Sequence, residues 1–234
     1  MAQPAPGNRE TLEWKDDCVI DSVWQRTART IVSGQIAGDM RFHERRAVSR
    51  PRRRRGEFAA SYAVVDAHGS GVRFLLEDVH VTFASSIFTS CVFEGKRAWP
   101  AAGAFGHTSG RSVYRDCHFL GVNFDLHGFS LGWARFERCT FERCRTGHIY
   151  SPRADLVGCR FIGRVDNAQL LGADPATGIP NDIRDNDFSN AELGRVSFQA
   201  GARPEDQLWP RDVVVERDAS GWETVVRPSA DASP

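Results

Sequence analysis

Six cysteines and seven histidines are the residues of this 234-residue chain best suited to chemistry, and several lie close together. Cys139, Cys144 and His148, with Cys159 and the adjacent Cys117-His118, carry the donor types of a zinc site. Their spacing is unlike the C-x-x-C pairs that such sites use, so no metal is assigned. Asp182, Asp185, Asp187 and Glu192 could gather as a carboxylate site, but read more simply as the outward face of one layer. No G-x-S-x-G elbow, glycine-rich phosphate loop or dinucleotide fingerprint appears. No catalytic residue and no cofactor is therefore expected. Residues 41–55 hold eight arginines, a type that binds phosphate through two parallel hydrogen bonds. No aromatic residue interleaves Arg50 to Arg55 to stack bases, so this stretch reads as a solvated loop.

The elements that would position these residues follow an unusual count. Leu131, Phe136, Phe141, Thr146, Ser151, Leu156 and Phe161 lie five residues apart, and Phe129, Ala134, Cys139, Cys144, Ile149, Ala154 and Cys159 precede them by two. Polar residues such as Glu137, Arg138, Glu142 and Arg143 fill the gaps. Neither the helical period of 3.6 nor the strand period of 2 generates this pattern. A fixed internal period marks a solenoid, whose units bury their apolar faces only by stacking on one another.

The segments Ala134-Arg135-Phe136-Glu137-Arg138, Cys139-Thr140-Phe141-Glu142-Arg143 and Ala154-Asp155-Leu156-Val157-Gly158 resemble the pentapeptide-repeat family. The resemblance implies an all-β fold, a right-handed four-sided parallel β-helix with twenty residues per coil. Within the sequence, Phe136 then falls under Leu156, Phe141 under Phe161, Cys139 under Cys159 and Arg135 under Asp155. The cysteines would point inwards on different sides of the coil as small buried hydrophobes. A Cys139–Cys159 disulfide fits strand spacing, but parallel Cβ vectors and a reducing compartment favour thiols.

Residues 1–57 form an N-terminal segment with a helical pattern over Cys18 to Val32, a cap for which a strand is the rival. Residues 58–203 form the β-helix, interrupted by inserted loops at 94–112 and 172–182, with a two-residue slip before Leu131. Residues 204–234 hold a hairpin over 211–226 and a loose tail. The expected core is Phe83, Phe88, Phe93, Phe119, Phe124, Phe136, Phe141, Leu156, Phe161, Phe188, Leu193 and Phe198. Trp99, Phe105 and His107 in the first loop are the expected interface anchors.

The resemblance implies a non-enzymatic, bacterial, cytoplasmic protein that binds a macromolecular partner, a protein rather than nucleic acid. A second copy of the chain is a further candidate partner. The quinolone-resistance members of the family are acidic and imitate DNA for a type II topoisomerase. Here residues 111–200 hold eleven arginines and eleven acids, so the continuous negative stripe of such mimicry is missing. The charges instead separate, with seven arginines to three acids over 129–164 and five acids to one arginine over 174–192, as in a dipolar rod. A polysaccharide-cleaving β-helix enzyme is the rival class, but a regular twenty-residue coil leaves little room for its groove. No apolar run reaches the roughly 20 residues that span a bilayer, and the N-terminus lacks a signal-peptide pattern. Any nucleic-acid affinity through Arg41–Arg55 is expected to be weak, sequence-independent and steeply salt-sensitive. Filter binding across a salt series checks this, and selective binding that survives high salt would contradict it.

Overall fold

The five-residue unit is a short strand held between two left-handed bends. Thr140–Glu142 is three residues long with only its central Phe141 buried, and Arg138 (φ 52°) and Arg143 (φ 50°) bracket it. Ile87–Thr89 sits in the same way between Ser85 (φ 49°) and Ser90 (φ 52°). A left-handed non-glycine residue costs about 1–2 kcal/mol, so the bends persist only because neighbouring layers hold them. The backbone N–H groups of Ser90, Asp116 and Arg138 each donate at 2.9 Å to a carbonyl of the next layer. A computed structural model describes residues 28–43, 61–77, 80–95, 102–107, 110–124, 131–146, 150–221 and 223–229.

These residues build an all-β fold in which almost all pairing is parallel and between layers distant in sequence. One sheet has seven strands in chain order: Met40–His43, Arg73–Glu77, Val92–Gly95, His118–Leu120, Thr140–Glu142, Arg160–Val165 and Asp187–Leu193. A nine-stranded sheet runs from Ile183–Arg184 through Asp155–Val157, Ala134–Glu137, Ser112–Arg115 and Ile87–Thr89 to Ser61–Ser70. The long strand Ser61–Ser70 also pairs with His80–Ala84, which carries Ala102–Ala104, and with Ala28–Ile36. A third sheet stacks Tyr150–Ser151, Ala168–Leu171 and Val196–Gln199, then adds the hairpin Val213–Arg217 and Glu223–Pro228.

The core is built of aromatic columns. Phe74, Phe93, Phe119, Phe141, Phe161 and Phe188 stack face to face with ring centroids 4.5–4.9 Å apart, the spacing of paired strands. Phe88, Tyr114 and Phe136 form a second column, which Leu156 continues. Phe83, Phe88, Phe93, Phe119, Phe124, Phe136, Phe141, Leu156, Phe161, Phe188 and Phe198 are all 3% exposed or less. Leu193 is only half-buried, in the end strand of the seven-stranded sheet opposite the buried Val165.

Several expectations change. Ala28–Ile36 is a strand, so the helical pattern over 18–32 fails in its described part. Ile31, Val32 and Ile36 are β-branched, and the strand gains a parallel partner in Ser61–Ser70 that a lone surface helix would lack. Residues 18–27 lie outside the described residues, as do residues 44–55. Parallel stacking thus begins at 28–43 rather than at 58, with the Phe42 ring 6.4 Å from Phe74. Residues 94–112 are not simply an inserted loop, since Ala102–Ala104 pairs with His80–Ala84. At Gly106 a Cβ would lie 2.5 Å from the Trp133 backbone, so only glycine fits that approach.

The C-terminal end is closed. The Trp209 ring stacks on Phe188 at 4.8 Å, and its Nε1 donates to the Pro204 carbonyl at 2.9 Å. Phe188 N–H donates to Leu208 and Asp185 N–H to Asp206, covering strand edges that would otherwise invite another chain. Replacing Phe141 by alanine removes a ring with rings above and below, and is expected to cost about 3–5 kcal/mol. Urea unfolding measures it, and a loss under about 1 kcal/mol would contradict an interior position.

Candidate interaction surface

Alternation in the short strands sends neighbouring residues to opposite faces and disperses the residues with metal-ligand chemistry. Cys117 is buried, whereas His118 points outward and its Nε2 lies 3.1 Å from Glu142. Cys91, Cys117, Cys139 and Cys159 occupy one inward column, and Cys144 lies buried elsewhere. All five are free thiols. Cys139 Sγ donates to the Tyr114 carbonyl at 3.4 Å and Cys144 Sγ to that of Phe119 at 3.2 Å. Hydrogen bonding with the Cys139 thiol, followed by burial, pushes Cys117 up to about 12, and burial does the same for Cys144. Burial likewise raises Cys139. These are uncharged packing groups, poor nucleophiles and poor metal ligands. No group of three or more His, Cys, Asp or Glu among the described residues is arranged to hold a metal ion, and His148 lies outside them.

The column ends in two polar residues, Asn186 at the small inward position of the five-residue count and Gln207, which that count does not reach. Asn186 follows Cys159 and accepts its N–H at 2.9 Å, while Asn186 Nδ2 donates to Gln207 Oε1 at 2.8 Å. Gln207 Nε2 in turn donates to the carbonyls of Ile183 and Arg203. These two amides satisfy the last backbone groups of the stack. Trp209 closes the ring column 21 residues past Phe188, and that interval was the one available signal for it.

The proposed anchors of the first loop are not an exposed cluster. Phe105 is fully buried, stacked on Phe83 at 5.1 Å, and its carbonyl accepts the Tyr114 hydroxyl at 2.9 Å. Its burial energy, about 1.5–3 kcal/mol, holds it inside. His107 is half-buried and bridges to Gly110, and Trp99 lies outside the described residues.

What the described residues present outward is a set of ion pairs, many of them between layers. On the nine-stranded sheet, Arg135 lies over Asp155 and donates to it at 2.7 Å and to Asp182 at 3.3 Å. Arg111 also pairs with Asp155, Arg115 with Glu137 at 2.9 Å, and Arg184 with Asp182 at 2.8 Å. Arg138 grips Asp116 through two bonds of 2.7 and 2.9 Å. On the seven-stranded sheet Arg73 pairs with Glu94, and Arg160 with Asp187 at 3.3 Å. Hydrogen bonds from Arg135 hold the Glu137 carboxyl below its ordinary range, and those from Arg138 do so for Asp116. Ser189, then Arg160, lower Asp187.

These pairs overturn the dipolar rod. The arginine-rich stretch 129–164 and the acid-rich stretch 174–192 stack on each other, joined by Arg135–Asp182, Arg153–Asp174 and Arg160–Asp187. Asp182, Asp185 and Asp187 therefore meet arginines, while Glu192 is exposed. Large apolar residues break the charged surface at a few points: Ile87 and Trp133 at 38% exposure, Val215 at 50%, Ile179 and Leu208 at 63%. An opening of about 550 Å³ beside the hairpin is lined by Arg195 and Arg227, which pair with Glu223 and Glu216. No helix among the described residues is long and apolar enough to cross a membrane. In comparisons with known proteins, the chain matches no protein-family model and no curated sequence.

Stability should form a plateau in pH. Asp116, Glu137 and Asp187 have folded pKa values below their unfolded ones, so their contribution is present above about pH 4 and is lost as pH falls further. Cys117 and Cys144 have folded values raised to about 12, so theirs is present below the unfolded thiol value of about 8.5–9 and is lost as pH rises from there towards 12. Thermal melts from pH 2 to 11 should be flat between about 5 and 8. A steep fall within that window would contradict both assignments.

Proposed function

We propose that the chain is a non-enzymatic pentapeptide-repeat protein that acts as a protein–protein interaction scaffold. In this reading the stacked strands form a right-handed, four-sided parallel β-helix. Strands bracketed by left-handed bends five residues apart, and the pairing of Phe141 with Phe161 one twenty-residue coil later, support it. The single observation that carries the functional part is the packing of the interior. Tyr114 and the phenylalanine columns fill the space between the sheets, so among the described residues charged groups are presented on ion-paired outer faces.

Such faces suit a protein partner. Exposed ion pairs contribute under about 1 kcal/mol each, so exchanging them for pairs across an interface changes stability little and can set specificity. Neutral ladders of Arg135, Asp155, Asp182 and Arg184 count against DNA imitation, and the filled layers among the described residues count against a polysaccharide groove. Five free thiols suit a reducing compartment such as the cytoplasm.

The test uses the purified full chain in parallel assays. Chemical crosslinking in an extract of the native cell should yield a discrete, stoichiometric protein partner. Acidic glycans should remain intact, and a type II topoisomerase should supercoil DNA at an unchanged rate. Glycan cleavage abolished by Asp182→Asn would overturn the reading in favour of the enzyme. Topoisomerase inhibition at stoichiometric concentration would overturn it in favour of the DNA mimic.

A further inference from the structure

The C-terminal hairpin leaves one side of its first strand open. Val213–Arg217 is the end strand of its sheet and, among the described residues, pairs only with Glu223–Pro228. Asp218 N–H donates to the Glu223 carbonyl at 2.9 Å, and Ser229 N–H to that of Asp212 at 2.9 Å. Bonded and non-bonded positions alternate along an antiparallel pair. Asp212, Val214, Glu216 and Asp218 therefore turn their backbone groups towards Glu223–Pro228, and Val213, Val215 and Arg217 turn theirs to the outer edge. Pro228, which lacks an N–H, stands opposite Val213, where no hairpin bond is due.

Sheet edges are commonly blunted by lysine, proline, a bulge or shortness. Tyr150–Ser151, at the other end of this sheet, is two residues long. In the end strand of the seven-stranded sheet, Phe188 already gives its N–H to Leu208. Val213–Arg217 has five residues, an unbroken register and neither lysine nor proline. Val215 shares a face with its cross-strand partner Val226, yet Val226 is buried and Val215 is 50% exposed. Its open side is the one on which a further strand would lie.

An outward row of backbone N–H and C=O groups is matched by an extended backbone. Charge decides whose backbone that is. A second copy pairing about a two-fold axis must centre on a residue of this strand, because directly opposite side chains share a face. Centred on Val214, it sets Asp212 against Glu216 and Arg211 against Arg217. Centred on Val215, it sets Asp212 against Asp218, and centred on Glu216 or Arg217 it sets that residue against itself. A centre at Val213 leaves the partner to pair with the bend at 211–212 and Pro210. Like charges directly opposite destabilise a strand pair, so this edge disfavours its own copy. Within the strand, Arg217 is met by Glu205 at 3.2 Å and Glu216 by Arg227. An incoming strand therefore finds a run of three valines flanked by Asp212 and Asp218, both exposed.

We propose that the outer edge of Val213–Arg217 is a strand-addition site for an extended, antiparallel segment of a partner protein, β-branched and apolar at its centre with a basic residue at each end. The basic residues face Asp212 and Asp218, and the backbone bonds Val213, Val215 and Arg217. This rests on the scaffold reading, for which it names the docking edge and the chemistry of the partner.

The probe is the end-capped peptide Lys-Thr-Thr-Val-Val-Ile-Lys, titrated into the full chain and followed by amide hydrogen exchange. The amides of Val213, Val215 and Arg217 should gain protection. Val215→Pro deletes an outward N–H and no hairpin bond, so it should weaken the Kd at least about tenfold with melting unchanged. Aspartate in place of both peptide lysines should weaken binding by a similar factor, and more at low salt. Equal affinity for the aspartate peptide, indifference to Val215→Pro, or protection elsewhere than the edge would overturn the proposal. Edge protection that grows with protein concentration in the absence of peptide would overturn it in favour of a second copy. Failure of the peptide to bind would remove the edge assignment, whereas the scaffold reading falls only if crosslinking in the native extract yields no partner.

Discussion

The structure depends on one contact repeated: an aromatic ring lying flat on the ring of the next layer. Strand pairing fixes the layers about 4.8 Å apart. A planar side chain standing perpendicular to the sheet can pack at that distance without changing rotamer, and ring centroids 4.5–4.9 Å apart along the Phe74–Phe188 column show the match. Edge-to-face contacts between columns, such as Phe93 with Tyr114 at 5.6 Å, lock the columns against each other. Each pair of this kind adds about 0.5–1.5 kcal/mol beyond burial.

That contact explains why the left-handed bends are tolerated. Asp116, Arg138 and Asp185 hold φ values of 52–58°, which a short free strand would not keep. Each bend precedes a residue of the inward Cys117–Cys139–Cys159–Asn186 column, and each bend N–H meets a carbonyl one layer on. Local strain at these bends is thus balanced by contacts between layers. The same geometry places outward side chains directly over their counterparts. Charged residues there reach partners in the layer above or below as well as sequence neighbours in their own, which is why Arg135 finds Asp155 and Asp182 besides Glu137.

Because stacking rather than chain length sets the register, the number of residues between stacked rings is free to vary. It is 19 from Phe74 to Phe93, 26 from there to Phe119, then 22, 20 and 27. The longest interval contains the loop 172–182, whose extra residues leave the column undisturbed. Insertions of different length are thus accommodated without moving the ring column.

The sequence by itself determined the local unit. Small and bulky apolar residues two apart, recurring every five, imply an all-β stack, and the pairing of Phe136 with Leu156, Phe141 with Phe161 and Arg135 with Asp155 is legible at a separation of twenty. The hairpin is equally local, because its turn residues lie between two apolar runs. Only the tertiary structure decided where that count fails. Phe105 sits among glycines and reads as a loop residue, yet Phe83 and Tyr114 supply it with a buried site. Phe42 joins the ring stack 32 residues before Phe74, an interval that no fixed period contains, and Trp209 joins it 21 residues past Phe188 from outside the five-residue count. The pairing of the basic and acidic stretches, and the ion pair from Arg153 to Asp174, likewise required two layers to be in place. The reason is physical: a bend and a short strand are encoded in five residues, but which layer lies above a given side chain depends on every loop between them.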